Sequence, residues 1–387
     1  MKPVQWNTQN KFPDRSVMMK ARARLEIDVA AFSGNLAGII RQVSPCRVAA
    51  VLKANAYGSG VKTLVRAAAE AGVSRIAVAE VNEALQIADA GLPVQILGTL
   101  FPDEAAEAVH HGFIVPVTGL ESAKMLSREA VKQKKPVICQ IKTDTGMGRF
   151  GMDADTAFDE ICRIAALPGL DIRGIYSHFS SADTPDNSYT RRQLERFKRL
   201  LCRLDDAGIR FEDIHTAASN GIAFYPESYR KPFTMVRSGV VMYGCEKKHL
   251  SALPWLKPVL SYKSRLVSVR EMASGSFVGY GHLHCNRTAS RIGTVCAGYA
   301  DGVPLALTNR GYVIVRGVLC PVVGRVSMDC MNILLDNVPD AEQGDEVICI
   351  GSSGEYEITV GDWAALKGTH AHDILCSVGH RVERCYI

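Results

Sequence analysis

Short apolar runs alternate with amphipathic stretches along residues 46–245 of the chain. The runs are rich in β-branched residues, which favours strands, whereas Val81–Ala90 and Thr190–Ala207 have helical periodicity. The predicted strands are Arg47–Lys53, Arg75–Ala79, Val94–Leu100, Phe113–Thr118, Val137–Thr143, Ile172–His178, Asp213–Ala217 and Met235–Met242. Eight strands that alternate with helices predict an α/β fold of the (β/α)8 type, a TIM barrel. An open, doubly wound parallel sheet is the alternative.

The pattern changes after roughly residue 255, where helical signals become rare. Strand-like segments separated by glycine turns are Leu260–Val269, Arg291–Cys296, Tyr312–Val315, Glu346–Ile350 and Tyr356–Val360, and the remaining helical segments are Asp362–Leu366 and Ala371–Cys376. This pattern predicts a mostly β C-terminal domain. We expect a disordered extension over residues 1–21, a barrel over 22–255 and a β-rich domain over 256–387. The sequence does not decide whether Ala23–Val29 joins the β-rich domain.

Composition narrows the class of protein further. The chain of 387 residues is 47% hydrophobic and carries a net charge of +5, with basic residues scattered rather than gathered on the dense face of a nucleic-acid binder. None of the 12 cysteines forms a CxxC pair, which argues against zinc ribbons and favours a reducing compartment. The polar segment Met1–Arg15 resembles neither a signal peptide nor a membrane span. We therefore expect a cytoplasmic protein without a nucleic-acid or membrane partner.

Lys53 is the first candidate for chemistry, because it ends a predicted barrel strand. Barrel enzymes hold their catalytic groups at the carboxyl ends of their strands. A single lysine in this position is more often a surface residue that follows a strand. The residues around Lys53 are therefore needed to distinguish a catalytic lysine from a surface one.

That context resembles one enzyme family. Val51-Leu52-Lys53-Ala54-Asn55-Ala56-Tyr57-Gly58 resembles the lysine signature with which alanine racemases bind pyridoxal phosphate (PLP). Further motifs follow in the family's order, and they are Lys142–Arg149, Ser177–Phe179, Val236–Gly239, Gly279–Gly281, Gly298–Gly302, Gly324–Asp329 and the tail Arg381–Tyr386. The resemblance covers about residues 22–387 and therefore both predicted domains. A chance match of one motif does not explain an ordered series of this extent.

The resemblance implies a PLP-dependent racemase that interconverts L- and D-alanine by a two-base mechanism. Lys53 would bind the cofactor as a Schiff base and then act as base on one face of the substrate, while Tyr280 would act on the other. A phenol, with an ordinary pKa of about 10, needs cationic help to act as a base near neutrality. By resemblance, His178 and Arg237 supply it, and Arg237 reaches the pyridine nitrogen. Tyr280 would come from the partner subunit, which implies a homodimer with shared sites.

The same resemblance assigns the remaining site residues. The implied cofactor-binding residues are Lys53, Tyr57, Leu97, His178, Ser219, Arg237, Gly239, Val240 and His380. The implied substrate-binding residues are Arg149, Met328, Tyr299, Lys142 and Asp329. The guanidinium of Arg149 suits a substrate carboxylate. Lys142 would be carbamylated by CO2 and would hold Arg149 in place, with an ordinary strand lysine as the alternative. No metal is expected.

Two positions depart from the family's pattern. Ala218 stands where the family has an asparagine before Ser219, so that polar contact is either missing or supplied by Asn220. His380 stands where the family has a tyrosine that contacts the phosphate. These departures leave serine or another small amino acid open as the substrate. If the substrate is alanine, the expected role is supply of D-alanine for a bacterial cell wall.

Three other functions compete with this interpretation. Gly146–Gly151 matches GxGxxG, with Asp171 twenty residues later, which is a weak sign of a dinucleotide-binding dehydrogenase. A PLP-dependent amino-acid decarboxylase or a PLP carrier would share the barrel, although the carrier lacks a β domain and a decarboxylase needs no Tyr280. A metal-binding or regulatory protein would rest only on His282-Leu283-His284 and His370-Ala371-His372, which we interpret as solvated histidines.

Overall fold

A computed structural model describes residues 21–387, so the predicted disordered extension lies outside the described residues except for its last position. The strands of the first part of the chain are β1 Ala23–Ile27, β2 Arg47–Val51, β3 Arg75–Val78, β4 Val94–Ile96, β5 Val115–Val117, β6 Val137–Asp144, β7 Met152–Asp153, β8 Leu170–Tyr176, β9 Asp213–His215 and β10 Met235–Ser238. Each predicted barrel run overlaps one of these strands. Most of the observed strands end earlier than predicted, because the last residues of those runs already belong to the loops that form the site.

Eight of these strands close into a parallel ring. Two sheets have the orders β10-β2-β3-β4 and β5-β6-β8-β9. A parallel bridge between Gln95 and Ile114 joins β4 to β5. At the other seam, Thr234 N donates to Ile214 O at 2.9 Å and Arg237 N donates to Ala217 O at 3.0 Å. The closed ring confirms the predicted barrel, and the open doubly wound sheet is wrong.

The helices within residues 29–252 surround this ring and cover its apolar strands, and two more helices lie in the second part of the chain. They are α1 Val29–Val43, α2 Lys53–Tyr57, α3 Val61–Glu70, α4 Val81–Leu85, α5 Ala105–His111, α6 Leu120–Gln133, α7 Phe158–Ala165, α8 Ser188–Asp206, α9 Ser219–Phe224, α10 Lys247–Ala252, α11 Val360–Lys367 and α12 Ala371–Cys376. The longest, α8, begins after Asn187, whose side chain accepts hydrogen bonds from Tyr189 N and Thr190 N. Its apolar face buries Leu194 and Phe197, as the helical periodicity predicted.

The second part of the chain is mostly β, as predicted. Its strands are β11 Leu260–Met272, β12 Ser290–Val295, β13 Tyr312–Val315, β14 Val318–Val323, β15 Met331–Leu334, β16 Glu346–Ser353, β17 Tyr356–Ile358 and β18 Glu383–Tyr386. They form a sheet in the order β17-β16-β13-β14-β15-β12-β11-β1-β18. Because β11 also pairs with β16, the strands from β16 to β11 in this order close into a second, smaller ring.

The strand β1 belongs to this second sheet, although it precedes the barrel in sequence. It pairs antiparallel with β11, where Leu25 faces Tyr262, and parallel with β18. We propose a domain boundary near residue 255, with β1 assigned to the β-rich domain. Within residues 21–387, no helix combines the length and the apolar character that a bilayer crossing requires.

Candidate active site

A cavity of about 760 Å³ opens at the carboxyl ends of the barrel strands. Many residues predicted for the site line this one cavity, and they are Lys53, Tyr57, Leu97, Lys142, Arg149, His178, Ser219, Arg237, Gly239 and Val240. They come from loops that follow different strands, which is how barrel enzymes assemble their sites.

An unusual turn places Lys53 in the cavity. The residues Ala54, Asn55 and Ala56 all have left-handed backbone angles, with φ of 53–54°. Each such residue costs about 1–2 kcal/mol when it has a Cβ atom. The carboxylate of Glu83 stabilises the turn, since it accepts hydrogen bonds from Ala54 N at 2.5 Å and from Ala79 N at 2.7 Å. Sequence analysis did not identify Glu83, whose partners are backbone groups that no residue pattern reveals.

One end of the cavity suits a phosphate group. A Cβ atom at Gly239 would lie 2.7 Å from the hydroxyl of Tyr57 and 3.3 Å from Oγ of Ser219, so only glycine leaves this space open. Ser219 Oγ accepts hydrogen bonds from Gly239 N and Val241 N, both at 3.2 Å. Burial raises the pKa of Tyr57, so its hydroxyl remains a donor. Hydroxyl and backbone N–H donors around an open cradle favour a bound anion.

Arg237 occupies the centre of the barrel mouth and is almost completely buried. Its Nη2 atom lies 3.2 Å from Nδ1 of His178 and donates to Ser177 O at 2.8 Å. Its Nη1 atom contacts Nδ1 of His215. Burial lowers the pKa of Arg237 to about 10, which leaves it protonated near neutrality. Burial and, after it, the charge of Arg237 hold the pKa values of both histidines well below the ordinary range, so both rings are neutral and accept through Nδ1.

A buried polar network continues from His215 through the barrel core. Its Nε2 atom lies 2.8 Å from Oε1 of Gln140, whose amide nitrogen donates to Asp213 at 2.8 Å. Asp213 in turn pairs with Arg75 at 2.7 Å. Because Gln95 also donates to Oε1 of Gln140, at 2.7 Å, that oxygen acts as an acceptor and His215 carries its proton on Nε2. The network therefore fixes the tautomer of the histidine beside Arg237.

The sequence analysis missed this network. Its only signal was the presence of polar residues at alternate positions of predicted buried strands, such as Asp213 and His215. Which polar side chains meet depends on the register between strands, and the parallel pairing of β6, β8 and β9 brings Gln140 to Asp213.

Lys142 lies buried beside these groups. Its Nζ atom donates to Thr143 O at 2.6 Å and to Phe150 O at 3.2 Å. Burial, followed by the charge of Arg237, lowers the pKa of Lys142 to about 8. Arg149 is exposed at the cavity edge, with its guanidinium carbon 5.0 Å from the centre of the Phe150 ring.

Leu97 has a backbone role at the cavity wall. Its carbonyl oxygen accepts a hydrogen bond from the hydroxyl of Tyr176 at 3.3 Å, and Tyr176 stacks on His215 with ring centres 4.9 Å apart.

Other predicted site residues do not line the cavity of this chain, and they are Tyr280, Tyr299, Met328, Asp329 and His380. All lie in the β-rich part of the chain and are exposed, Tyr280 by 71%. Asp329 pairs instead with Arg381 at 2.8 Å. The cavity wall of this one chain therefore does not include the second base, which the resemblance assigns to the partner subunit.

His370 and His372, interpreted from sequence as solvated, are both exposed and line the cavity, and the ring of His372 lies 5.6 Å from that of Tyr57. Within residues 21–387, no group of three or more histidine, cysteine, aspartate or glutamate residues is placed to hold a metal ion. The glycine-rich segment Gly146–Gly151 follows β6 in the closed barrel, and its first turn closes on Asp144, which accepts from Gly146 N and Gly148 N at 2.8 Å.

The fold and cavity define a class of protein: a barrel enzyme with a lysine, a buried arginine and an anion cradle at one mouth, followed by a β-rich domain. Residues 27–247 match the family described as "Alanine racemase, N-terminal domain", and residues 259–386 match "Alanine racemase, C-terminal domain". The chain therefore belongs to the alanine racemase family.

Individual relatives agree with this membership. An alanine racemase of Desulforamulus reducens is 37% identical over 376 residues, which cover 95% of this chain and 100% of that protein. The crystal structure of alanine racemase from Streptomyces lavendulae is 30% identical, with a TM-score of 0.88 over 95% of this chain and 98% of that one. The crystal structure of a Bartonella henselae alanine racemase with covalently bound pyridoxal phosphate has a TM-score of 0.86 at 28% identity, over 95% of this chain and 100% of that one.

Proposed function

We propose that the cavity binds pyridoxal phosphate and that the protein uses it to interconvert L- and D-alanine. The observation that carries this proposal is the joint presence of Lys53, the Tyr57–Gly239–Ser219 cradle and Arg237 in one cavity. The donors of the cradle fit a phosphate, and Arg237, which is protonated near neutrality, fits a ring nitrogen that accepts a hydrogen bond. When bound, the cofactor acts as an electron sink for the negative charge that develops at the substrate Cα.

Lys53 is assigned to the covalent attachment of the cofactor and to proton transfer on one face of the substrate. Arg237 would donate a hydrogen bond to the ring nitrogen and would keep its own proton, because its pKa of about 10 lies well above neutrality. A hydrogen-bond donor that keeps its proton withdraws less negative charge into the ring than a group that transfers its proton to the ring nitrogen. This arrangement favours return of the proton to Cα, which racemisation requires.

We assign the second base to Tyr280 and complete the site with a second copy of the chain. The exposed apolar residues of the β-rich part include Phe277, Tyr280, Leu283, Leu305 and Met328. Three of them, Phe277, Tyr280 and Leu283, lie within seven residues of the chain, and a partner that covers such a cluster would remove its apolar area from water. In the proposed homodimer, Tyr280 and Met328 of one subunit face the cavity of the other.

Arg149 is assigned to the substrate carboxylate, and Lys142 is proposed to be carbamylated. The reaction joins Nζ of the neutral amine to the carbon of CO2 and releases one proton. Burial supports this step, because a pKa of about 8 leaves an appreciable neutral fraction near neutrality. A carbamate at this position would also give Arg149 an anionic partner.

An amino-acid decarboxylase is not favoured, since both family matches and the relatives described above are alanine racemases. We propose a cytoplasmic location and a role in supplying D-alanine for cell-wall synthesis. The twelve free cysteines support a reducing compartment.

Chiral chromatography of the purified protein tests the proposal directly. The PLP-loaded protein is incubated with single L-amino acids, including alanine and serine, and the products are separated by chirality. D-Alanine as the main product, without CO2 or keto acid, is the expected result. Release of CO2 would establish a decarboxylase, and D-serine as the main product would move the assignment to another small amino acid.

A further inference from the structure

Asn220 borders the cavity immediately after Ser219, on the first turn of α9. Its Oδ1 atom lies 2.8 Å from Nε2 of His249. His249 belongs to α10 and is completely buried. The amide of Asn220 is half-buried, and its oxygen contacts His249. Asn220 also borders the cavity beside the phosphate cradle.

The position of the imidazole proton determines which amide atoms of Asn220 face the cavity. Burial lowers the pKa of His249 to about 4, so near neutrality the ring is neutral and carries one proton. Its Nδ1 atom lacks a hydrogen-bond partner among residues 21–387, although Glu246 lies 3.4 Å away. Because Oδ1 of Asn220 can only accept, the proton sits on Nε2, where it is donated to that oxygen. Both N–H groups of the amide nitrogen can then donate hydrogen bonds to a ligand in the cavity.

The charges around Asn220 are compatible with an anion. The carboxylates that line the cavity are Glu246 and Asp183. Nζ of Lys248 lies 3.4 Å from Glu246 and offsets its charge, and Lys53, Arg149 and Arg237 add positive charge to the same cavity. Ala218 offers no polar group at the position where the family has asparagine. Asn220 thus has an oriented donor, a balanced electrostatic setting and a neighbouring cradle that suits phosphate.

We propose that Asn220 is a further phosphate-binding residue of this enzyme and that His249 is the positioning residue that orients its amide. The inference rests on the proposed function, since it takes the ligand of the cradle to be the phosphate of PLP. Asn220 donates an N–H to a phosphate oxygen, in place of the contact that Ala218 cannot make.

Equilibrium binding of two ligands to the cofactor-free protein tests this inference without measuring activity. Pyridoxal contains the same ring and aldehyde as PLP but lacks the phosphate. Replacement N220A is expected to weaken PLP binding about tenfold or more, because a hydrogen bond to a charged group is lost. Binding of pyridoxal is expected to stay within about twofold of the unmodified protein.

Variants of His249 test the positioning role. H249L removes the donor that holds Oδ1 of Asn220 and is expected to weaken PLP binding selectively, whereas H249Q retains a donor and is expected to restore it. Ser251, exposed on the same helix, provides the control S251A, which should bind both ligands normally.

The outcomes separate this inference from the proposed function. Equal weakening of both ligands by N220A, or none, would overturn the role of Asn220. A selective loss in N220A without one in H249L would overturn the positioning role of His249. If the unmodified protein bound pyridoxal as tightly as PLP, the phosphate cradle itself, and this inference with it, would be wrong.

Discussion

The Nη2 atom of Arg237 lies 3.2 Å from Nδ1 of His178. Because the pKa of His178 is held well below its ordinary range, its ring is neutral and accepts this hydrogen bond at Nδ1. The single ring proton is therefore on Nε2, where it can be donated. In the proposed dimer this N–H supports the phenol oxygen of the partner subunit's Tyr280, so the charge of Arg237 acts on the second base through a neutral ring.

Replacement Y280F is expected to slow proton exchange at Cα more from one alanine enantiomer than from the other. General acid–base groups typically contribute about 10²–10⁴-fold in rate. Deuterium uptake from D2O, started separately from each enantiomer, measures the effect. Tyr312, also exposed in the β-rich part, provides the control Y312F. Equal losses from both enantiomers would argue against a base that serves one face.

Replacement K53A is expected to abolish the absorbance band, near the edge of the visible range, that PLP gains when a lysine binds it covalently. The exposed Lys62 nearby provides the control K62A, which should keep the band. Dialysed holoproteins are compared at equal concentration. An unchanged band in K53A would show that Lys53 is not the lysine that binds the cofactor.

Replacement E83Q is expected to loosen the left-handed turn after Lys53. A glutamine side chain has one acceptor oxygen, whereas Glu83 accepts from Ala54 N and Ala79 N through two. One backbone N–H would lose its partner, which costs about 1–3 kcal/mol. The free energy of unfolding in urea should fall, and PLP should be lost faster on dialysis. E80Q, at an exposed neighbouring position, should leave both quantities unaltered. Normal stability with normal PLP retention would show that the turn does not depend on this carboxylate.

Replacement Q140L is expected to destabilise the barrel and to lower the turnover rate. It leaves three buried groups without their partner, and they are the Nε2–H of His215, an amide N–H of Gln95 and one oxygen of Asp213. Each such loss costs about 1–3 kcal/mol. Denaturant unfolding measures the stability, and Q343L, at an exposed position, is the control. If the turnover rate of the folded variant is unchanged, the network stabilises the barrel without acting on Arg237.

The sequence predicted the parts of the fold that local pattern determines. Most barrel strands are predominantly apolar runs, and Lys53 follows one of them, so both were identified. The strands β7, β14, β15 and β18 were not: β7 has two residues, β15 and β18 have four each, and β14 contains Pro321. The contacts of Glu83 with Ala54 and of Gln140 with His215 depend on strand register and loop path. Such contacts join residues distant in sequence, so residue patterns do not reveal them.

As a free amine, before any carbamylation, Lys142 is expected to make the stability of the protein depend on pH in a defined window. Its pKa is about 8 in the folded protein and has an ordinary value of 10.5 in an unfolded chain. Between these values the unfolded chain holds the proton and the folded protein does not, so stability rises with pH from about 8 to 10.5. Below pH 8 both states are charged, and the cost of burying the charge is fully present, on the order of 3 kcal/mol.

Replacement K142M should therefore stabilise the protein below pH 8 and remove the rise above it, as denaturant unfolding at several pH values would measure. Because carbamate forms from the neutral amine, the equilibrium fraction of Lys142 that is carbamylated in labelled bicarbonate should be higher at pH 9 than at pH 7, and the label should be visible by NMR. K142M provides the control, because it has no amine to react. A label absent from the unmodified protein together with a rise in stability between pH 8 and 10.5 would identify Lys142 as a buried free amine. A label that persists would show that Lys142 is carbamylated and that Arg149 has an anionic partner. K142M should then raise KM for alanine, because the guanidinium that binds the substrate carboxylate is no longer held in place.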